Sequence, residues 1–418
     1  MKTAKFKDSP LGPIPQDWEV KRLGEICDVQ LGKMLDSAKN QGEECFYLTN
    51  KDVQWGRISV SDLRRMRMSE DDRQRFSLRQ GDLLVCEGGE VGRCAIWNSE
   101  VEGCCFQKTI HRVRAKVSDT IDMRFLQPLL CVYAKKGVFD PYISCTSIAH
   151  LTKEKFELLE IICPPLPEQQ RIAEALGEVD KLIESLDEQI EKKRLIAKGV
   201  AHDLLSGKKR LPGFKGEWKS VRLGAIGELY GGLSGKIADD FGHGTARFIT
   251  FLNVLNNVTI DKDMVGEVDV RFGEKQHAVR KGDLFFNVSS ETPEEVAMCA
   301  VLMEDMPNTY LNSFCCGFRL NKPDHNPLFI SYYFNSNIGR DALRGIASGI
   351  TRYNLSKKAF REKMLVWPEY SEQRAIAEVL SEMDASIIAL EAKREKYVRI
   401  KEGMMRDLLT GKVRMKGE

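Results

Sequence analysis

Three kinds of side chain in this sequence could do chemistry, and the spacing of each decides whether it does. Twelve cysteines suggest metal or disulfide chemistry, yet no two stand three residues apart, and His111, His150, His202, His243, His277 and His325 are scattered. A structural zinc site draws its ligands from close pairs. No metal is therefore expected, and the thiols read as small buried hydrophobes of a reducing compartment. Glycine-rich turns that could cradle a nucleotide are incomplete. Gly242-His243-Gly244 lacks a third glycine, and Gly235-Lys236 is followed by Ile237 where a phosphate loop needs Ser or Thr. Cys163-Pro164-Pro165-Leu166 has neither the polar first residue nor the aromatic fourth of an amino-methyltransferase loop. No catalytic residue emerges.

The third kind is amide, basic and aromatic, the chemistry of nucleic-acid reading: Arg and Lys recognise guanine edges, Asn and Gln recognise adenine, and Lys or glycine-turn amides hold phosphates. In the first half of the chain these residues are Lys51, Gln54, Trp55 and Arg57 in one loop, Arg93 after a Gly-Gly turn, and Lys108. In the second half they are Asn253, Asn256, Asn257, Asn287, Ser289, Arg352, Tyr353 and Asn354. Arg57, Lys108, Arg352 and Asn354 stand beside turns or at expected strand ends. A single loop of this composition is ordinary solvated surface. Equivalent placement in two halves that have otherwise diverged raises the nucleic-acid reading.

Those loops must be held by something, and an internal repeat supplies it. A shift of 204 places Glu168-Gln169 on Glu372-Gln373 and Asp203-Leu204-Leu205 on Asp407-Leu408-Leu409 without a gap. Upstream, at an offset of 200 or 201, Trp18 with Arg22-Leu23-Gly24 is echoed by Trp218 with Arg222-Leu223-Gly224, and Gly81-Asp82-Leu83 by Gly282-Asp283-Leu284. In the repeated segment Ile172, Leu176, Val179, Ile183, Leu186 and Ile190 alternate steps of four and three, as do Ile376, Leu380, Met383, Ile387 and Leu390. That heptad seam predicts two long helices, each with one narrow apolar stripe, and each is expected to partner the other in antiparallel fashion. They should follow the proline clusters and stop at Gly207 and Gly411.

Between the helices, β-rich runs at 45–48, 82–86, 110–113, 247–252, 283–288 and 317–320 and helical patterns at 123–134 and 327–336 predict mixed α/β blocks. The expected organisation is α+β, mixed: a globular block (1–163), a helical spacer (164–209), a second block (210–367) and a second spacer (368–418). The bulk composition agrees. With 42% hydrophobic residues the chain can bury more than one core, and a net charge of +2 excludes a polybasic coat protein. No run approaches the length of a membrane span and the first residues lack a signal-peptide core, so a cytoplasmic protein without membrane contact is expected.

Taken in order, Pro15-Gln16-Asp17-Trp18, Arg22-Leu23-Gly24, Pro164-Pro165-Leu166-Pro167-Glu168-Gln169-Gln170-Arg171-Ile172-Ala173 and the helix-ending Asp203-Leu204-Leu205-Ser206-Gly207, with their duplicates, resemble the specificity (S) subunit of type I restriction-modification enzymes over essentially the whole chain. The second copy departs at Trp367-Pro368-Glu369-Tyr370-Ser371, where the proline run is missing. The resemblance implies two target recognition domains, each reading half of a bipartite site in double-stranded DNA, with the helices setting the spacer and docking methyltransferase subunits. It implies a non-catalytic chain in a complex with two methyltransferase and two restriction subunits, which would use S-adenosylmethionine, ATP and Mg2+. A coiled-coil scaffold with two protein-binding blocks and no DNA recognition is the alternative.

Overall fold

The computed structural model describes residues 5–36, 40–117, 119–145, 149–290, 295–344, 346–348 and 353–415. Its contacts divide the chain into two units, Met1–Leu186 with Lys393–Glu418, and Asp187–Ala392.

Each unit is built on a four-stranded antiparallel sheet with the same strand order. In the first unit the order is Cys94–Ile96, Leu83–Cys86, Ile110–Ala115, Cys27–Leu31; in the second it is Cys299–Val301, Leu284–Asn287, Cys315–Leu320, Gly227–Gly231. The duplicated Gly-Asp-Leu explains itself here. Gly81 and Gly282 take φ values of 88° and 86°, where only glycine is unstrained, and turn the chain into a fully buried strand. The aspartates are 2% and 1% exposed. Asp82 is bound by the Arg114 guanidinium and the Arg79 amide, and Asp283 by Arg319, the Arg280 amide and the Tyr230 hydroxyl. A buried carboxylate without such donors would cost several kcal/mol, so the turn and its arginine belong together.

A second, three-stranded sheet flanks each of these: Cys105–Phe106, Glu43–Leu48 and Arg64–Met68 in one unit, Val265–Val268, Phe241–Ile249 and Thr309–Leu311 in the other. The expected helical patterns form helices Met123–Lys135 and Pro327–Asn335, capped by Asp122 and Asn326. The expected strand at 247–252 is cut short. It ends at Ile249 because the Thr250 hydroxyl caps a helix, Phe251–Asn256.

The two long helices span Leu166–Leu205 and Tyr370–Leu408, so each begins before the first seam residue. Gly207 and Gly411 close them with φ of 72° and 71°. Ile172, Leu176, Leu186, Ile190, Ile376, Leu380 and Ile387 are buried and Val179, Ile183, Met383 and Leu390 half-buried. Pairing is antiparallel, as the ion pairs within each unit show. In the first unit Asp180 meets Lys401 (2.5 Å) and Glu168 meets Arg414; in the second Arg194 meets Glu391 (2.6 Å) and Glu372 meets Arg210. Lys401 is thus an ion-pair position on the second helix.

The repeated motifs also complete each other's cores. Leu408 and Leu409, which end the second helix, pack into the core around Trp18 and Phe125, while Leu204 and Leu205, which end the first, pack into the core around Phe286 and Trp367. The Glu-Gln pair opening each helix fastens block to helix. Gln169 accepts from the Asp122 amide and donates to the Pro164 carbonyl; Gln373 does the same with the Asn326 amide and Pro368 carbonyl. The docked amide is in each case the cap of the block's own helix.

Candidate nucleic-acid interface

The first unit gathers most of its expected readers around one loop. Asn50 stands at the centre: its amide donates to the Thr109 hydroxyl (3.3 Å), next to Lys108, and its carbonyl accepts from Arg93 Nη2 (2.6 Å). Arg93 Nη1 reaches Glu90, whose other oxygen accepts from the Trp55 indole (2.7 Å), and the Gln54 amide donates to the Lys51 carbonyl (2.7 Å). Gln54 and Arg57 face each other across a two-stranded hairpin. Arg93 and Trp55 therefore share one hydrogen-bonded chain through Glu90, and Lys51, Gln54, Arg57 and Lys108 stand beside it along the sequence.

Their roles differ. Arg93 is a strap, its side chain only 16% exposed and its guanidinium committed to Asn50 and Glu90. Trp55 lines an open cleft of about 530 Å³ with Gln127, Asp180, Ile183 and Lys401, so its ring serves the side of the unit that carries the long helices. Lys51, Arg57 and Lys108 are exposed and have no carboxylate partner among the described residues.

The loop bearing Lys108 is pinned from below. The Lys108 amide donates to the Lys33 carbonyl, and a Cβ on Gly32 would lie 2.3 Å from the Gln107 carbonyl oxygen. Glycine is required there by close approach of two backbones. Beside it, burial raises the Glu87 carboxyl above its ordinary value, with His150 and Lys108 opposing the rise and Glu154 adding to it.

In the second unit Ser289 and Asn354 are register partners on a small sheet, and Tyr353 lies opposite Ser290. Asn256 stands on another element, exposed at the end of its helix. Arg352 lies outside the described residues. Two neighbouring amides that the sequence offered as loop readers are internal. Asn253 is fully buried, donating to the Asp261 and Met264 carbonyls, and Asn287 donates to the Glu295 carbonyl.

Sequence reasoning missed His150. The signal was present: the same shift of 204 aligns Ser144, Leu151, Thr152 and Phe156 with Ser348, Leu355, Ser356 and Phe360, which sets His150 against Asn354. Among the described residues no cluster of His, Cys, Asp or Glu could hold a metal ion. Burial pushes the thiols of Cys27, Cys104, Cys315 and Cys316 up to about 12. No helix among the described residues is long and apolar enough to cross a membrane.

The sequence profile of the type I restriction modification DNA specificity domain matches the chain twice, over residues 15–193 and 215–399. A putative type I restriction enzyme specificity subunit from Methanocaldococcus jannaschii is 24% identical over 99% of this chain and 98% of its own length. Among solved structures, the S subunit of a type I restriction-modification system from M. genitalium superposes with a TM-score of 0.58 at 16% identity, covering 97% of this chain and 98% of that one. The HsdS subunit from Thermoanaerobacter tengcongensis superposes at 0.50 with 18% identity, covering 96% and 98%.

Proposed function

Because the chain belongs to the type I restriction-modification DNA specificity family, with both of its tandem blocks matched, we propose that each unit reads one half of a bipartite sequence in double-stranded DNA. The observation that carries this reading is duplication with divergence. The two units share strand order, buried Gly-Asp turns and Glu-Gln docking, yet present different side chains at their exposed loops. A scaffold binding one kind of protein partner has no need of two blocks that present different side chains at equivalent loops.

The chain's own contribution is recognition. Exposed cations such as Lys51, Arg57 and Lys108 supply sequence-blind, salt-dependent affinity, and a few base-edge contacts choose the sequence. Adenine methylation and ATP-driven cleavage fall to two methyltransferase and two restriction subunits, which hold S-adenosylmethionine, ATP and Mg2+. The long helices serve as the docking region for the methyltransferase subunits and as the ruler between half-sites. A helix of 40 residues is about 60 Å long, under two turns of duplex.

Methylome sequencing of cells carrying the chain with its partner subunits tests the reading. A bipartite methylated-adenine motif is expected, and insertion of four residues in one long helix should change its spacer but neither half-site. Absence of any bipartite motif would return the chain to the scaffold alternative, and an unaltered spacer would remove the ruler.

A further inference from the structure

Each unit carries the same small piece of sheet just beyond its buried Gly-Asp strand. In the first, Gly88 bridges His150 in antiparallel register and the Leu151 amide donates to the Glu87 carbonyl at 2.8 Å. In the second, Ser289 pairs with Asn354 and the Leu355 amide donates to the Val288 carbonyl at 2.9 Å. Both strands run into a helix capped by a hydroxyl, Thr152 in one and Ser356 in the other, and both helices bury a phenylalanine, Phe156 or Phe360. Backbone geometry and support are thus held constant between the units.

What changes is the chemistry carried at the shared register. Gly88 and His150 in the first unit become Ser289 and Asn354 in the second, and Ala149 becomes Tyr353. The exchange is sterically matched. A Cβ on Gly88 would lie 3.1 Å from His150 Nδ1, so the imidazole occupies room that a serine would contest, whereas the shorter Asn354 lies opposite a serine. His150 and Asn354 are both exposed. The half-buried Glu87 carboxyl feels both the histidine and Lys108.

From this we infer that His150 and Asn354 are matched specificity-determining residues, one for each half-site, each reading a base edge from the same place in its unit. The inference rests on the reading of the chain as a DNA specificity subunit. Asparagine offers a donor and an acceptor side by side, which fits the N6 and N7 edge of adenine. A neutral imidazole offers one ring N–H, which fits a purine N7 or guanine O6 acceptor. The two units then differ in preferred base because they differ in this side chain, while Leu151, Thr152, Phe156 and their counterparts keep the strand in place.

The test is the methylome of cells expressing the complete complex with His150→Ala, with Asn354→Ala, and with the double substitution Gly88→Ser and His150→Asn, which grafts the second unit's pair onto the first. Expected is a loss of discrimination of roughly 5- to 150-fold at one base of one half-site for His150→Ala, and at one base of the other half-site for Asn354→Ala. The grafted pair should change the preferred base at the position His150 governs and leave the other half-site intact. A wild-type bipartite motif that persists unchanged in all three variants overturns the inference and leaves the specificity reading standing. Equal weakening of both half-sites, or complete loss of methylation in both His150 variants, overturns it too, because the histidine is then a support for the fold. A wild type without a bipartite motif overturns both.

Discussion

Glu168 gives the sharpest test of how the two repeats are joined. Its carboxylate is 2% exposed and accepts from Arg414 Nε and Nη2 (both 2.8 Å), the Trp18 indole (3.1 Å) and the Met415 amide (3.0 Å). Glu168→Ala removes the acceptor and leaves these donors in a site closed to water. Breaking a buried ion pair from one side costs about 3–5 kcal/mol. Asp17 still holds the Arg414 guanidinium through two contacts of 2.8 Å, so the lower end applies, about 3 kcal/mol. For a unit of roughly 200 residues, that lowers the unfolding temperature by about 6–12 °C. Scanning calorimetry of the full chain measures it. Removing Arg414 as well eliminates the stranded charge, so the double variant Glu168→Ala/Arg414→Ala should fall short of the sum of the singles by about 1 kcal/mol or more. A drop under about 2 °C for Glu168→Ala, or strict additivity, would refute the reasoning. The counterpart Glu372, 1% exposed and held by Arg210, should respond in the same way.

Other consequences follow from single contacts. Burial acts to raise the Glu168 carboxyl, but Arg414, Trp18 and Met415 outweigh it and hold the group below the ordinary 4.5; its stabilisation is full above that value and lost as pH falls through the folded one, which acid titration of wild type against Glu168→Gln measures. His111 is fully buried with Nε2 against the Leu151 carbonyl at 2.7 Å, and burial lowers it from 6.5 to about 4, with Leu151 and Glu154 opposing and Lys153 assisting. Stability present above pH 6.5 should therefore fall by about 3 kcal/mol as pH drops toward 4, a slope that His111→Gln abolishes in denaturant titrations and that an identical slope in both proteins would contradict. Gly32→Ala and Gly232→Ala place a Cβ 2.3 and 1.9 Å from the Gln107 and Asn312 carbonyl oxygens; each should destabilise by about 1–3 kcal/mol and, in the methylome, weaken a different half-site. Lys108→Ala should reduce the slope of log affinity against log salt by about 0.9 without altering sequence preference, and an unchanged slope would take Lys108 off the phosphate path.

The long helices were legible because a heptad seam is a local, periodic signal that no block sequence interrupts, and the buried strand after each Gly-Asp turn was legible because the turn residue and the apolar run are adjacent. The strand at 247–252 was misread at its end, since apolar Phe251 and Leu252 suit either element and the Thr250 cap decided between them. Asn253 and Asn287 looked like surface readers, but an amide's value depends on whether a backbone carbonyl stands within reach, and that is a tertiary fact. His150 was passed over as one scattered histidine because its meaning lies in its pairing with Gly88, 62 residues upstream.

By itself the sequence determined the duplication, the antiparallel-capable helices, the family resemblance and the lack of a recognisable catalytic motif, all of which rest on order and spacing along one chain. Only the tertiary structure decided what the duplicated motifs do. The Glu-Gln pairs hold blocks to helices, each repeat's arginine closes on the other repeat's glutamate, and each Leu-Leu ending fills the core of the other repeat's block. The physical reason is that a buried carboxylate or amide is defined by its donors and acceptors. Here those partners stand as far as 247 residues away, beyond anything a local pattern can specify.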